Sequence, residues 1–232
     1  MVTLFLLLTI LMIIEASTSL SRLTGYLLKT PESGLILQSS LALLSRVVMF
    51  LFMPILGYLS DANLLGRDDS SLLSSIFVMP LGLSLLYIYK YRVLDVYSIL
   101  IKRVNSHGSF FKGTQSFELN GQFQLKKRSL NVLNRFYLLV LIAYIPYYLA
   151  WPIVILLLDT YHDNRGMILG MSSVFNGINT IILTLFVDPK LIKIGKYPRI
   201  LPSVYLNLIK IRIFASFISI VLLLSVYQAL LI

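Results

Sequence analysis

Long apolar stretches, separated by polar segments, dominate the hydrophobic pattern of this chain. A helix needs about 20 apolar residues to cross the hydrocarbon core of a bilayer. About six stretches approach that length, and each predicts a membrane-spanning helix. They cover roughly residues 3–28, 34–60, 71–90, 134–158, 166–187 and 205–231. We therefore predict an all-α polytopic membrane protein that forms a single transmembrane domain over residues 1–232.

The first stretch is predicted to remain as a membrane helix and not to act as a cleaved signal peptide. It has no basic segment before it, and it leads into Glu15 and Arg22 instead of a small-residue cleavage site. In the second stretch, Pro54 predicts a kink. The third stretch is predicted to continue as an interfacial helix to about residue 103.

The basic residues are distributed unequally between the connections, and this asymmetry predicts the orientation of the chain. The connections after the second and fourth stretches hold one arginine each, Arg67 and Arg165. The other connections hold most of the lysines and arginines, and the longest includes a basic loop over roughly 104–132. Because cytoplasmic loops carry the excess of Lys and Arg, we predict that both termini lie outside. This placement accounts for the net charge of +10, so no nucleic-acid partner is expected.

The long loop contains one local pattern, SFELNGQFQLK, in which apolar and polar residues alternate around Asn120 and Gly121. The Asn-Gly pair is a favoured turn of β-hairpins. A two-residue turn places Leu119 opposite Gln122, whereas a three-residue loop pairs Leu119 with Phe123. A hairpin is thus one prediction for this segment, and a disordered basic loop on anionic lipid is the other.

Charged residues inside the apolar stretches are the first candidates for function, because each costs about 3 kcal/mol at the centre of a membrane helix. At 1.5 Å per residue, Glu15 and Arg46 both lie about 18 Å from the ends of their helices. Similar depths on successive helices predict that the two residues pair or face a common polar space. Arg22 lies two turns below Glu15, where it either shares that space or snorkels to the cytoplasmic head groups.

The fifth stretch carries polar residues at every fourth position, and Asn179 adds an amide beside them. The alternative to a binding surface is hydrogen bonding between helices. Together with the charged residues, the stripe favours a polar cavity in which arginine binds a phosphate or pyrophosphate bidentately. The stripe comprises Ser172, Asn176, Thr180, Thr184 and Asp188. The candidate substrate-binding residues are Glu15, Arg22, Ser45, Arg46, Asp61, Asn176, Asn179, Thr180 and Asp188.

Other residue types give no sign of catalysis. The chain has no cysteine, and His107 and His162 fall in polar segments, so we expect no metal centre and no cofactor. The scattered acids argue against a membrane-embedded enzyme. The tyrosines of YLLVLIAYIPYYLAW are predicted to form an interfacial belt and to pack between helices.

Three segments, in this order, carry a resemblance to a known family: IEASTSLSRLTG, SSLALLSRVVMFLFMPILGYLSD and NGINTIILTLFVDP. They resemble signature segments of the Amj family, the alternate lipid II flippases of bacteria. The resemblance implies a multi-pass protein of the bacterial cytoplasmic membrane, a transporter and not an enzyme. Its substrate would be lipid II, the undecaprenyl-pyrophosphate-linked peptidoglycan precursor, moved from the inner to the outer leaflet. The family-like positions are Glu15, Arg22, Ser45, Arg46, Pro54, Gly57, Asp61, Asn176, Gly177, Thr180, Asp188 and Pro189.

The expected mechanism follows from these positions. Arg22 and Arg46 would bind the pyrophosphate, the polar groups of the fifth stretch would bind the sugar, and Glu15 would hold Arg46 in the empty site. The partners expected are the lipid-linked glycan and membrane lipids, in an undetermined oligomeric state. One alternative is a flippase of another polyprenyl-linked glycan. Another is an ion-coupled transporter of a small anionic solute, which predicts a pocket closed to lipid, and a third is a scaffold for partner helices.

Overall fold

The computed structural model describes residues 2–62, 64–65, 69–112 and 135–230, and these ranges form helices and connections without strands. A π-helical segment, Leu183–Val187, joins α6 to α7, and a short 3-10 turn, His162–Asn164, precedes α6. The predicted hairpin around Asn120 and Gly121 lies outside the described residues, as does Arg67. The helices are α1 Val2–Leu27, α2 Pro31–Asp61, α3 Asp69–Ile88, α4 Lys90–His107, α5 Arg135–Thr160, α6 Arg165–Ile182, α7 Asp188–Gly195 and α8 Leu201–Leu230.

Five helical segments of the described chain are long and apolar enough to cross a membrane. They match five of the six predicted stretches, so the all-helical class is confirmed. In the remaining stretch the apolar helical segment is shorter, Phe77–Ile88. Six spans and outside termini therefore stay predictions. The five segments are Leu6–Leu27, Pro31–Asp61, Arg135–Thr160, Arg165–Gly195 and Leu201–Gln228.

Helix α1 lies at the centre of the first half of the bundle and packs against α2, α3, α4 and α8. Its serine and threonine hydroxyls donate to carbonyl oxygens of the preceding turn, as Ser17 Oγ does to Ile14 O at 2.7 Å. This satisfies the hydroxyls within α1 itself. The short side chains then let neighbouring helices approach closely, which is how helices associate in a membrane.

The crossing of α1 and α2 depends on two glycines. A Cβ on Gly25 would lie 2.7 Å from the Cα of Gly34, and a Cβ on Gly34 would lie 2.9 Å from the Cα of Gly25. Only glycine permits this approach of the two backbones. The connecting turn contains Lys29 with a φ of 60°, and it fixes which faces of α1 and α2 meet.

Helix α4 packs inside the bundle against α1 and α2, although the sequence predicts an interfacial continuation of the third stretch. The helix breaks at Tyr89, and α4 then buries Leu94 and Ile101 completely. The hydroxyl of Tyr97 donates to Ser17 Oγ at 2.6 Å. Burial raises the pKa of Tyr97 to about 12, so the phenol keeps the proton that it donates.

The second half of the bundle is built on α5, which packs against α6 and α8. Helix α2 rests mainly on α1, and α6 rests mainly on α5. Only 22% of the apolar window of α2 is buried, and only 17% of that of the segment Arg165–Gly195, which begins with α6. These are the smallest shares among the five long segments. Helices α2 and α6 therefore form the margins of the two halves, and the space between them leads to the interior.

Candidate functional site

A polar cavity of about 220 Å³ lies between α1, α2, α5, α6 and α8. We call it the Arg212 cavity. It extends along the second half of α1 and the first half of α2, towards the end of the bundle that holds the turn between them. Its charged residues are Glu15, Arg22, Asp188 and Arg212.

A second cavity, of about 260 Å³, lies between α1, α2, α5 and α6. We call it the Arg46 cavity, and its wall includes Arg46, Trp151, Asn176 and Thr180. Both cavities are lined by the same four further residues, so they adjoin across them. The shared residues are Glu15, Ser45, Tyr147 and Asn179.

Glu15 lies at the junction, but its partners differ from the predicted one. Its carboxylate accepts a hydrogen bond from the hydroxyl of Tyr147, and its backbone carbonyl accepts one from Arg212 Nη1 at 3.1 Å. Among the described residues, neither Glu15 nor Arg46 forms an ion pair within 4 Å. Of the two predicted alternatives, the ion pair of Glu15 with Arg46 does not form, whereas both residues line the Arg46 cavity and so face a common space.

The orientation of α2 explains why this pair does not form. Ser45 is buried and lines both cavities, whereas Arg46 is exposed and lines only the second. Successive residues of a helix point about 100° apart. Equal depth along the two helices therefore did not place Arg46 on the side of α2 where it could pair with Glu15.

Arg212 is the principal site residue that the sequence analysis does not single out, because it follows closely on the basic connection after the fifth stretch. Helix α8 begins at Leu201, which places Arg212 about 16 Å inside the helix at 1.5 Å per residue. Its Nη2 donates to the hydroxyl of Tyr144, and its guanidinium carbon lies 4.3 Å from the centre of the Tyr144 ring. A single arginine within the last apolar stretch was the available signal.

Three tyrosines of α5 form a wall of the Arg212 cavity, so the predicted packing between helices holds for them, whereas the predicted interfacial belt does not. Tyr144, Tyr147 and Tyr148 are buried. The rings of Tyr144 and Tyr148 stack at 5.9 Å, and Tyr147 meets Tyr148 edge-on at 5.2 Å. Their spacing of three and four residues places them on one helix face, which the sequence already showed.

Two ion pairs are present among the described residues. Arg22 pairs with Asp188 at 2.5 Å, so Arg22 does not snorkel alone to the head groups. Asp61, the last residue of α2, pairs with Arg165, the first residue of α6, at 2.6 Å. The first pair lies in the wall of the Arg212 cavity, and Asp61 lies outside both cavity linings. The pairs thus connect the two halves of the bundle at opposite ends.

The predicted polar stripe of the fifth stretch divides between different environments. Asn176 and Thr180 line the Arg46 cavity, and Asn179 lines both cavities. Ser172 is buried and donates to Leu169 O at 2.8 Å, and Thr184 is exposed. Only part of the stripe therefore reaches the site.

Several buried polar atoms in the cavity walls have no hydrogen-bond partner within the described ranges. Buried polar groups are nearly always paired with protein or water, so these atoms mark positions for water or a ligand. Gln38 and Tyr205 are further residues that the sequence reasoning missed. The atoms are Gln38 Oε1, Asn176 Oδ1, Asn179 Oδ1, Tyr205 Oη and Arg212 Nε.

The walls of the two cavities offer guanidinium, amide and hydroxyl groups, which can form hydrogen bonds with polar or anionic groups. Where the chain is described, no group of three or more His, Asp or Glu side chains is placed to hold a metal ion. Comparison with protein-family models, curated proteins and solved structures finds no match to this chain.

Proposed function

We propose that this chain is a flippase for a lipid with a polar, anionic head group, which crosses the membrane through the two joined cavities. The observation that carries the proposal is the position of the Arg46 cavity. Arg46 is the middle residue of the 31-residue α2, and Thr180 is the middle residue of the 31-residue segment Arg165–Gly195. Both are exposed and both line the cavity, so it opens between α2 and α6 at the depth of the lipid tails.

The charges of the walls suit an anion. The two cavities together hold three arginines and two carboxylates, which leaves them net positive. A phosphate and its sugar cannot enter hydrocarbon unaided, because they lose their hydrogen bonds to water there. The amides, hydroxyls and arginines of the walls replace those bonds, while the lipid tail stays in the bilayer outside the opening.

The substrate that the sequence segments indicate is lipid II. Under this proposal the chain crosses the bacterial cytoplasmic membrane six times with both termini outside, and it moves lipid II from the inner to the outer leaflet. A flippase of another polyprenyl-linked glycan uses the same chemistry. The opening at mid-helix favours either of these over a transporter of a small solute, which needs no lateral access.

The two ion pairs suit the alternate opening of such a pathway. Arg22 and Asp188 connect the halves at the end where the Arg212 cavity lies, and Asp61 and Arg165 connect α2 to α6 at the other end. The pair of Asp61 with Arg165 is the more exposed of the two and contributes only about 0–1 kcal/mol. Such contacts can close one end of the pathway while the other opens.

Complementation tests the proposal. The chain is expressed in bacteria depleted of their essential lipid II flippase, and the lipid II exposed on the outer leaflet is measured. We expect growth and exposure to be rescued, and we expect Arg212→Gln to abolish both. The matched control is Arg199→Gln, because Arg199 is exposed and lies outside both cavities. Absence of rescue at equal membrane expression would contradict lipid II as the substrate.

A further inference from the structure

Four of the unpartnered buried atoms line the Arg212 cavity and come from three different helices. Gln38 Oε1 lies on α2, Asn179 Oδ1 on α6, and Tyr205 Oη and Arg212 Nε on α8. Tyr205 is only 1% exposed and Asn179 only 7%. A folded chain rarely leaves buried polar atoms unpaired, so their presence around one cavity indicates water or ligand groups that pair with them.

The four atoms need two kinds of hydrogen-bond partner, namely acceptors for two of them and donors for the other two. Arg212 Nε carries a hydrogen and is a donor, and the hydroxyl of Tyr205 also donates. The amide oxygens of Gln38 and Asn179 are acceptors. A fully ionised inorganic anion offers only acceptors, so it would leave both amide oxygens unpaired. A neutral sugar offers hydroxyls but no charge for the guanidinium.

Arg212 forms no direct ion pair in this cavity, although the carboxylate of Glu15 also lines it. Arg22 already holds Asp188 at 2.5 Å. The two hydrogen bonds of Arg212 go to the backbone carbonyl of Glu15 and the hydroxyl of Tyr144, both neutral. No carboxylate of the described chain lies within 4 Å of its guanidinium nitrogens. A phosphate beside Arg212 would bring a negative charge into direct contact with the guanidinium, in a charge-assisted hydrogen bond.

We propose that the Arg212 cavity binds a glycosyl phosphate, with Arg212 and Tyr205 donating to phosphate oxygens and Gln38 and Asn179 accepting from hydroxyl or amide groups of the sugar. The inference rests on the proposed function and assigns the phosphate to Arg212 instead of Arg22 or Arg46. The cavity measures about 220 Å³, and one water needs about 10–15 Å³ of such volume. It therefore has room for a group of the size of a sugar ring with its phosphate.

The test measures binding by the purified full chain, without requiring transport. Trp151 is the only tryptophan and lines the adjoining cavity, so its fluorescence reports on ligands. The probes are undecaprenyl diphosphate carrying N-acetylglucosamine, undecaprenyl diphosphate and undecaprenol. We expect the glycosylated lipid to bind most tightly and undecaprenol to bind most weakly.

Variants separate the phosphate contacts from the sugar contacts. Arg212→Gln should weaken both phosphorylated lipids at least tenfold. Tyr205→Phe, which removes one oxygen and keeps the packing, should weaken both about threefold or more. Asn179→Ala should weaken only the glycosylated lipid. The controls are Arg199→Gln and Tyr58→Phe, because Arg199 and Tyr58 are exposed outside both cavities.

The inference is overturned if the sugar adds no affinity, if Asn179→Ala weakens both phosphorylated lipids equally or neither, or if Arg212→Gln and Tyr205→Phe change nothing. The expected pattern without rescue in cells would support the site and contradict the flippase. Rescue in cells without the expected binding pattern would support the flippase and contradict the site. If soluble N-acetylglucosamine 1-phosphate binds as tightly as the lipid, the site stands and its substrate is a soluble sugar phosphate.

Discussion

Glu15 and Arg212 meet through the main chain and not through their charges. Arg212 donates to the backbone carbonyl of Glu15 at 3.1 Å, while the carboxylate of Glu15 accepts from Tyr147. Helices α1, α5 and α8 are thereby joined at the level where the two cavities adjoin. The arrangement keeps an acid and a base close together without neutralising either.

The carboxylate of Glu15 is expected to weaken the binding of anions. Glu15→Gln keeps the shape and an acceptor for Tyr147 but removes one negative charge from both cavities. A unit charge roughly 8–16 Å away contributes about 1–2 kcal/mol at an effective dielectric constant of about 20. Undecaprenyl diphosphate should therefore bind about tenfold more tightly to this variant. Equal or weaker binding, measured by Trp151 fluorescence, would contradict the expectation.

The two ion pairs are expected to differ in their contribution to stability. Asp188→Asn leaves Arg22, whose side chain is 11% exposed, without its carboxylate, whereas the side chain of Asp61 is 73% exposed. Asp188→Asn should lower the free energy of unfolding by about 1–3 kcal/mol, and Asp61→Asn by about 0–1 kcal/mol. Denaturant unfolding in detergent compares the two substitutions, and a larger loss for Asp61→Asn would refute the ranking.

The opening between α2 and α6 is expected to be required for transport. Because the chain has no cysteine, Met49→Cys with Thr180→Cys places the only two thiols on facing walls of the Arg46 cavity. A bifunctional thiol reagent that joins them should abolish rescue in cells. The control pair is Phe50→Cys with Ile181→Cys, one residue further along each helix, at side chains that are 75% and 57% exposed. Full transport by the joined cavity pair would show that the head group takes another route.

Substituting alanine for two glycines of α2 is expected to have opposite effects on stability, because only one of them lies at the crossing with α1. Gly34→Ala places a Cβ 2.9 Å from the Cα of Gly25, whereas a Cβ on Gly57 meets nothing within 4 Å. Gly34→Ala should lower the free energy of unfolding by about 1–3 kcal/mol through overpacking. Gly57→Ala should raise it by up to about 1 kcal/mol through helix propensity. Thermal unfolding of both variants tests this, and a harmless Gly34→Ala would show that the crossing is not tight.

Much of the fold could be predicted because a membrane sets the length of each apolar helix, and the rise per residue then gives the depth of each side chain. Apolar length located five long helices, and the rise per residue located Glu15 and Arg46 near the middle of theirs. The direction in which each side chain points around its helix could not be predicted in the same way. It depends on the rotation of α2 against α1, which the contact of Gly25 with Gly34 sets.

The partners of Glu15 were harder to predict, because they come from helices distant in sequence. Tyr147 follows it by 132 residues and Arg212 by 197. The sequence gives no distance between such residues. Arg212 lies only seven residues inside the predicted stretch 205–231, close to the preceding basic residues, whereas α8 begins at Leu201 and carries it deeper into the helix.

The π-helical segment Leu183–Val187 sets the rotation of α7 relative to α6. A π turn holds about one residue more than an α turn, so relaxing this segment to α geometry would rotate everything after it by roughly a quarter of a turn. Helix α7 begins directly after this segment with Asp188, whose carboxylate forms an ion pair with Arg22 at 2.5 Å. A change of register within five residues would therefore turn Asp188 away and unlock one end of the bundle, while Asn176, Asn179 and Thr180 kept their places.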